Sequence, residues 1–280
     1  MTTPPVALTV AGSDSGAGAG IQVDLKTFAA HRIFGVSAIT AVTVQNTAEV
    51  RAVHSVPPDI VAGQIDCLLD DFTVVAAKAG MLATAETVEA VAGVLLGRPL
   101  PHLVIDPVLI SSSGARLTDD RAVSIYIDRL FPLADLVTPN MGEAAVITGE
   151  PVTNLHQMEQ AARAINRLGA RNVLLKGGHL FGQGEAVDLF FDGDKVIHFA
   201  APWVDTPNVH GTGCTLSAAI VSGLAHGTDL PTAIRDAKTY VHRALASAST
   251  WRLGSGHGPL DHFEWTFPRP HDRATDSRSG

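Results

Sequence analysis

The sequence predicts an α/β fold: a mostly parallel central sheet flanked by helices on both faces, with a small antiparallel hairpin at its edge. Three observations predict it. Short β-branched runs alternate with segments of helical apolar spacing almost throughout, as strands joined by crossover helices require. Several of these runs stop at Gly or just before Pro, which punctuate strand ends. Late in the chain, Asp192-Gly193-Asp194 separates two strand-like runs and reads as a hairpin turn. The 280 residues, 46% of them apolar, can bury one large core. Residues 1–265 are assigned to a single domain. Residues 266–280 (TFPRPHDRATDSRSG) are polar and have the composition of a disordered tail.

The elements follow in order. Val6–Ala11 is a short apolar strand ending at Gly12, and Ile21–Arg32 has helical spacing. Val36–Val44 is β-branched and reads as a strand. Pro58–Leu69 carries an apolar stripe at Ile60, Val61, Ile65, Leu68 and Leu69, hence a helix. Val74–Ala79 is a strand, Glu86–Leu96 a helix, and Leu103–Ile105 a strand that stops at Asp106-Pro107. Leu136–Thr138 is a strand stopping at Pro139, followed by helices over Glu143–Ile147 and Leu155–Leu168. Val173–Lys176 is a strand ending at Gly177-Gly178. Val187–Phe191 and Lys195–Phe199 form the hairpin, and Thr215–Ala225 and Leu230–Thr250 are the last helices.

Composition excludes several function classes. The net charge of −8 argues against a nucleic-acid partner. Cys67 and Cys214 cannot build a disulfide framework or a C-x-x-C metal site. None of the 12 histidines forms an H-x-x-x-H or H-E-x-x-H pair, so metal-hydrolase chemistry is not expected. The N-terminal apolar run is too short for a secretory signal. The uncharged stretch Thr206–Thr228 carries two histidines, several glycines and hydroxyls, a poor membrane span. A cytoplasmic protein without a membrane partner is expected.

In open parallel sheets, ligands bind beyond the carboxyl ends of the strands. His210-Gly211-Thr212-Gly213-Cys214-Thr215 precedes an apolar helix. Glycines there let several N–H groups converge on an anion, and the helix dipole adds favourable potential. That field also favours the thiolate of Cys214, which could then accept a proton from a substrate hydroxyl. A small buried residue in a glycine-rich turn is the ordinary alternative. The first loop, Gly12–Gly20, is built of small residues and admits a ligand closely. The chain contains no Gly-Lys pair, so this is no P-loop.

Asp106, Asn140 and Glu143 offer oxygen ligands suited to Mg²⁺, while Asn140 with Glu143 equally fits a helix capping box. Lys176 ends a strand and could reach nucleotide phosphates. Gln45 presents a donor and an acceptor suited to a heterocycle edge. Asp24 is a further polar group near these strand ends, and Met81 could supply an apolar face or belong to the core.

Taken in order, Ala11-Gly12-Ser13-Asp14, Ala19-Gly20-Ile21-Gln22, Asp24-Leu25-Lys26, Gln45-Asn46-Thr47, Lys78-Ala79-Gly80-Met81-Leu82, Asp106-Pro107-Val108, Thr138-Pro139-Asn140 with Glu143, Leu175-Lys176-Gly177-Gly178-His179 and His210–Ala219 resemble the hydroxymethylpyrimidine/phosphomethylpyrimidine kinases of thiamine biosynthesis, members of the ribokinase-like superfamily. The resemblance spans about Val6 to His262. It implies ATP and Mg²⁺ as cofactors, a small-molecule substrate and a homodimer. It implies phosphorylation of 4-amino-5-hydroxymethyl-2-methylpyrimidine and then of its monophosphate.

By matching positions, Gln45 and Asp24 would bind substrate, and Met81 and Val108 would flank its ring. Gly211, Thr212, Gly213 and Cys214 would form the anion hole, with Cys214 as base where superfamily relatives usually carry Asp. Lys176, Thr206 and His210 would lie by the nucleotide, and Asp106, Asn140 and Glu143 would support the metal. The first loop, Ser15-Gly16-Ala17-Gly18, departs from the family's usual two serines and two glycines while keeping its length. The alternatives are a pyridoxal or pyridoxamine kinase of the same fold and a non-catalytic ligand-binding relative. A sugar kinase is disfavoured by the missing carboxylate at position 214 and by the lack of an obvious added β-lid.

Overall fold

The computed structural model describes residues 3–109, 120–178 and 184–265. The expected tail and His179 lie outside them. The strands are β1 (Val6–Asp14), β2 (Phe34–Gln45), β3 (Val50–Ser55), β4 (Val74–Ala79), β5 (Leu103–Ile105), β6 (Leu136–Val137), β7 (Val173–Lys176), β8 (Glu185–Phe191) and β9 (Val196–Pro202). The α-helices are α1 (Gly20–Ala30), α2 (Pro58–Asp71), α3 (Ala85–Gly97), α4 (Asp120–Ile125), α5 (Met141–Thr148), α6 (Leu155–Arg167), α7 (Thr212–Ala225) and α8 (Leu230–Ala248). The strands form one sheet in the order β3-β2-β1-β4-β5-β6-β7-β8-β9. Pairing from β2 through β1 and β4 to β7 is parallel.

Alternation along each strand divides the core between the two faces. Leu8, Val10, Leu103, Ile105, Val173 and Leu175 point to one face, where Val61, Val91 and Ile165 from α2, α3 and α6 cover them. Ala7, Val104 and Leu174 point to the other, under Phe28 of α1, Ile220 of α7 and Ile234 of α8. The expected two-faced fold is therefore present.

The sheet has an antiparallel edge at each end rather than at one. The anticipated β8–β9 hairpin closes through Asp192, whose Oδ1 accepts the N–H groups of Asp194 and Lys195. The other edge is β3, paired antiparallel with the outer half of β2 from Ala41↔Ser55 to Gln45↔Val50. No sequence pattern marks it, because β3 is almost wholly exposed and carries no alternating core face. It adds to the sheet an edge strand that the expected element order does not contain. A second omission is α4, which continues as a π turn over Tyr126–Leu130 and a 3₁₀ turn over Phe131–Leu133. Its signal was available: Ala122, Val123, Tyr126 and Leu130 recur at helical spacing and are buried.

Within the sheet core, Lys78 donates to Asp24 Oδ1 at 2.6 Å, and Thr9 donates to Asp24 Oδ2 at 2.6 Å. Lys78 and Asp24 are both fully enclosed. Burial disfavours both charges, yet the Asp24 carboxylate holds the Lys78 ammonium above its ordinary range. Lys78→Met is expected to destabilise the fold by about 3–5 kcal/mol, because it strands a buried carboxylate. Urea denaturation reads this directly, and an unchanged midpoint would reject it.

Candidate active site

Two cavities open beyond the carboxyl ends of the strands and meet at the N-terminus of α7. Asn140, Lys176, Thr212 and Gly213 line both. The first, about 470 Å³, is mainly apolar, with Val204, Leu216, Val241 and Leu245 in its walls and Gly177 at one end. The second, about 260 Å³, is lined by the first loop, Gln45, Met81, Val108, His210 and Cys214.

The junction is built by backbone conformation. Gly211 caps α7 at φ +83°, and a Cβ there would stand 1.9 Å from the Gly18 carbonyl oxygen. Only glycine lets the two loops approach so closely. The Thr212 N–H donates to the Val209 carbonyl at 3.3 Å, while the next N–H groups of the turn Thr212-Gly213-Cys214 have no intrahelical acceptor, which suits the turn to an anion. Lys176 adds positive charge: its Nζ lies 3.1 Å from where a Cβ on Gly213 would be.

Lys176 donates to Asp106 Oδ1 at 2.6 Å, and Ser217 donates to Asp106 Oδ2 at 3.1 Å. Burial opposes ionisation of Asp106, but the cations of Lys176 and Lys78 outweigh it and hold the carboxyl below its ordinary range. Glu143 is also buried, and burial, opposed by Lys176, pushes it up to about 7. Asn140 and Glu143 form a full capping box: Glu143 N–H donates to Asn140 Oδ1, and Asn140 N–H donates to Glu143 Oε2. The capping alternative is thus realised, and Asn140 Oδ1 serves the helix. Among the described residues, no group of three His, Cys, Asp or Glu side chains is arranged to hold a metal. The donor set suits Mg²⁺ carried mainly by phosphates, with Asp106 and Glu143 in reach at the cavity wall.

Twelve of the fourteen expected site residues line these cavities. Two do not. Asp24 is sealed beneath the site with Lys78, so it is corrected from substrate ligand to buried ion-pair partner. Thr206 is absent from both walls, and its hydroxyl accepts the Asn208 N–H. His210 is moved from the nucleotide side to the second cavity, where Nε2 meets Asp14 Oδ2 at 3.0 Å. Cys214 also departs from expectation. Burial pushes its thiol above the ordinary value, with Lys78 as the principal opposing influence. The helix terminus alone does not yield a thiolate in the resting protein.

Sequence reasoning missed the scaffold behind the site. Tyr126 donates to the Gly80 carbonyl at 2.9 Å, and Thr40 donates to that of Met81 at 2.6 Å, fixing the turn that carries Met81. Lys238 donates to Asp188 at 2.6 Å, and Asp188 accepts the Gly177 N–H, which steadies the residue after Lys176. These pairs join residues 11 to 50 positions apart, so no local spacing could reveal them. Asp14 was findable as the one acidic residue of Gly12–Gly20.

A helix N-terminus and a strand-end lysine where two cavities meet beyond the carboxyl ends of the strands have the layout of a ribokinase-like kinase. The chain belongs to the phosphomethylpyrimidine kinase family, whose model matches residues 14–261. The hydroxymethylpyrimidine/phosphomethylpyrimidine kinase of Rhizobium meliloti is 49% identical over 259 residues, covering 92% of this chain and 97% of the relative. Among solved structures, an ADP complex of Bacillus subtilis pyridoxal kinase superposes with a TM-score of 0.86 at 34% identity, covering 93% of this chain and 98% of the other. Phosphomethylpyrimidine kinase of Clostridium difficile superposes at 0.76 with 40% identity, covering 86% and 99%.

Proposed function

We propose that this protein transfers the γ-phosphoryl group of ATP to the hydroxymethyl oxygen of 4-amino-5-hydroxymethyl-2-methylpyrimidine, and then phosphorylates the monophosphate to the diphosphate. The observation that carries the reading is the meeting of the two cavities at the N-terminus of α7, beside Lys176. The apolar cavity takes the nucleotide, and its phosphates run towards Lys176 and the Gly211–Cys214 turn. The smaller cavity takes the pyrimidine between Met81 and Val108, with its edge on Gln45. Phosphoryl transfer depends chiefly on positioning and charge stabilisation. Lys176 and the α7 N–H groups would meet the charge on the moving group, and Cys214 lies where the alcohol proton must leave. Mg²⁺, held by the phosphates with Asp106 and Glu143 nearby, would neutralise phosphate charge.

The pyrimidine is preferred over a pyridine because the 49% identical relative carries the pyrimidine name, whereas the pyridoxal kinase is 34% identical. Purified protein given ATP–Mg²⁺ should convert the hydroxymethylpyrimidine first to mono- and then to diphosphate. Turnover of pyridoxal without pyrimidine turnover would replace this reading with the pyridine one. Failure of both alcohols would leave a binding protein. Gln45→Leu is expected to cost about 1–3 kcal/mol in kcat/KM for the pyrimidine by removing both amide partners of the ring edge. An unchanged kcat/KM would make Gln45 structural only.

We also propose that the enzyme is a homodimer. Val42 and Val44 are exposed on one face of β2 beside the edge strand β3, where a second copy of the chain could cover them. Light scattering on the purified protein tests this, and a monomeric mass at micromolar concentration rejects it.

A further inference from the structure

Asp14 gathers the first loop around its carboxylate. Gly16 N–H donates to Oδ1 at 2.7 Å, and the N–H groups of Gly18 and Ala19 donate to Oδ2 at 3.1 and 3.0 Å. Both oxygens therefore accept, and Asp14 is ionised. Burial opposes this, but the hydrogen bonds and His210 outweigh it and lower the carboxyl. Oδ2 also lies 3.0 Å from His210 Nε2. A carboxylate can only accept, so Nε2 carries a proton and donates to it.

The Gln45 side chain meets the same ring nitrogen at 3.2 Å. An amide NH₂ at that point would set donor against donor. A half-turn of the amide keeps its shape and brings Oε1 to the ring N–H, which is then shared between Asp14 Oδ2 and Gln45 Oε1 as a three-centre bond. The backbone of Gln45 is held as well: its N–H donates to Ser15 Oγ at 3.0 Å, and Ser15 Oγ donates back to its carbonyl at 2.7 Å. The Gly18 backbone also packs closely against the ring. A Cβ on Gly18 would stand 2.3 Å from His210 Cδ2.

We infer that His210, clamped by Asp14, is a specificity-determining positioning residue that sets which way the Gln45 amide faces the second cavity. With Oε1 on His210, the amide offers the cavity its NH₂ donor and the second lone pair of Oε1. That edge matches a heterocycle presenting an unprotonated ring nitrogen beside an exocyclic amino group. It opposes the lactam form, in which the ring nitrogen carries hydrogen and the substituent is a carbonyl. The inference rests on the pyrimidine kinase reading for its substrate, but its hydrogen-bond logic concerns the free protein.

Two experiments test it. Long-range ¹H–¹⁵N spectra of the ligand-free full chain should show His210 with its proton on Nε2. A neutral ring protonated on Nδ1 alone overturns the inference, whatever the substrate turns out to be. In kinetics, the wild type should prefer the amino substrate over the 4-oxo analogue by about 10–100-fold, as an unmatched buried polar edge predicts. In His210→Asn the amide is free to turn, so this preference should shrink about tenfold while KM for ATP stays near its wild-type value. In a Gln45→Leu background, the His210 change should have no further effect on the preference. Equal losses on both substrates, or additive effects of the two substitutions, overturn the positioning role. Should His210→Asn fail to fold, the wild-type spectrum still decides. Absence of wild-type pyrimidine turnover counts against the proposed function and leaves the spectroscopic result standing.

Discussion

Cys214→Ser is expected to lower kcat by about 10²–10⁴-fold, the usual contribution of general-base assistance, with little change in KM for ATP. Serine preserves the size of the side chain and the first turn of α7, so the anion-binding N–H groups survive. What it removes is a group able to take the alcohol proton near neutrality. Burial holds the Cys214 thiol above its ordinary value, so the active thiolate is a minor form at pH 7. Because the thiolate forms as pH rises towards that raised value, kcat should climb about tenfold per pH unit through the neutral range. Cys214→Asp supplies a base already ionised there and should flatten that rise while retaining more activity than the serine variant. The opposing case is a loose transition state in which the proton leaves late and positioning dominates. Near-wild-type kcat in Cys214→Ser, with a flat pH profile in the parent enzyme, would establish that case and remove Cys214 as base.

The second large effect is expected at Gly211. Alanine there must hold φ +83°, a left-handed conformation costing about 1–2 kcal/mol for a residue with a Cβ. The larger problem is steric, because that Cβ would stand 1.9 Å from the Gly18 carbonyl oxygen. Both neighbours are backbone, so neither can swing aside, and the turn must open. Opening it displaces the N–H groups of Gly213 and Cys214 from the position proposed for the transferring phosphoryl. Losing one such preorganised donor costs about 10²–10³-fold in kcat. Gly211→Ala should therefore lose at least that much kcat, together with a lower Tm. Full activity at an unchanged Tm would show that the helix N-terminus is not the anion site.

The local elements were legible because their causes are local. Alternating and helical apolar spacing marked β1, β4, β7, α2 and α6, and the Asp-Gly turn marked the β8–β9 hairpin. The Gly211–Cys214 segment was legible as a candidate anion site because glycines before an apolar helix let N–H groups converge at its N-terminus. Where the core face was missing, as in exposed β3, the pattern was silent. Helix α7 begins at Thr212 rather than Thr215, because a helix can start within Gly-Thr-Gly once Gly211 caps it in the left-handed region.

By itself the sequence determined the layered α/β architecture, the family, and the set of polar residues gathered at the strand ends. Tertiary structure decided what each of those residues faces. Asp24 meets Lys78 across 54 positions and so leaves the site for the core. His210 meets Asp14 across 196 positions and so lines the smaller cavity. Cys214 lies at a helix N-terminus, as its neighbours in sequence predict, yet burial outweighs that field. Secondary structure follows from torsional preference and apolar spacing over a few residues. Charge state and hydrogen-bond partnership depend on burial and on groups brought close only by the fold.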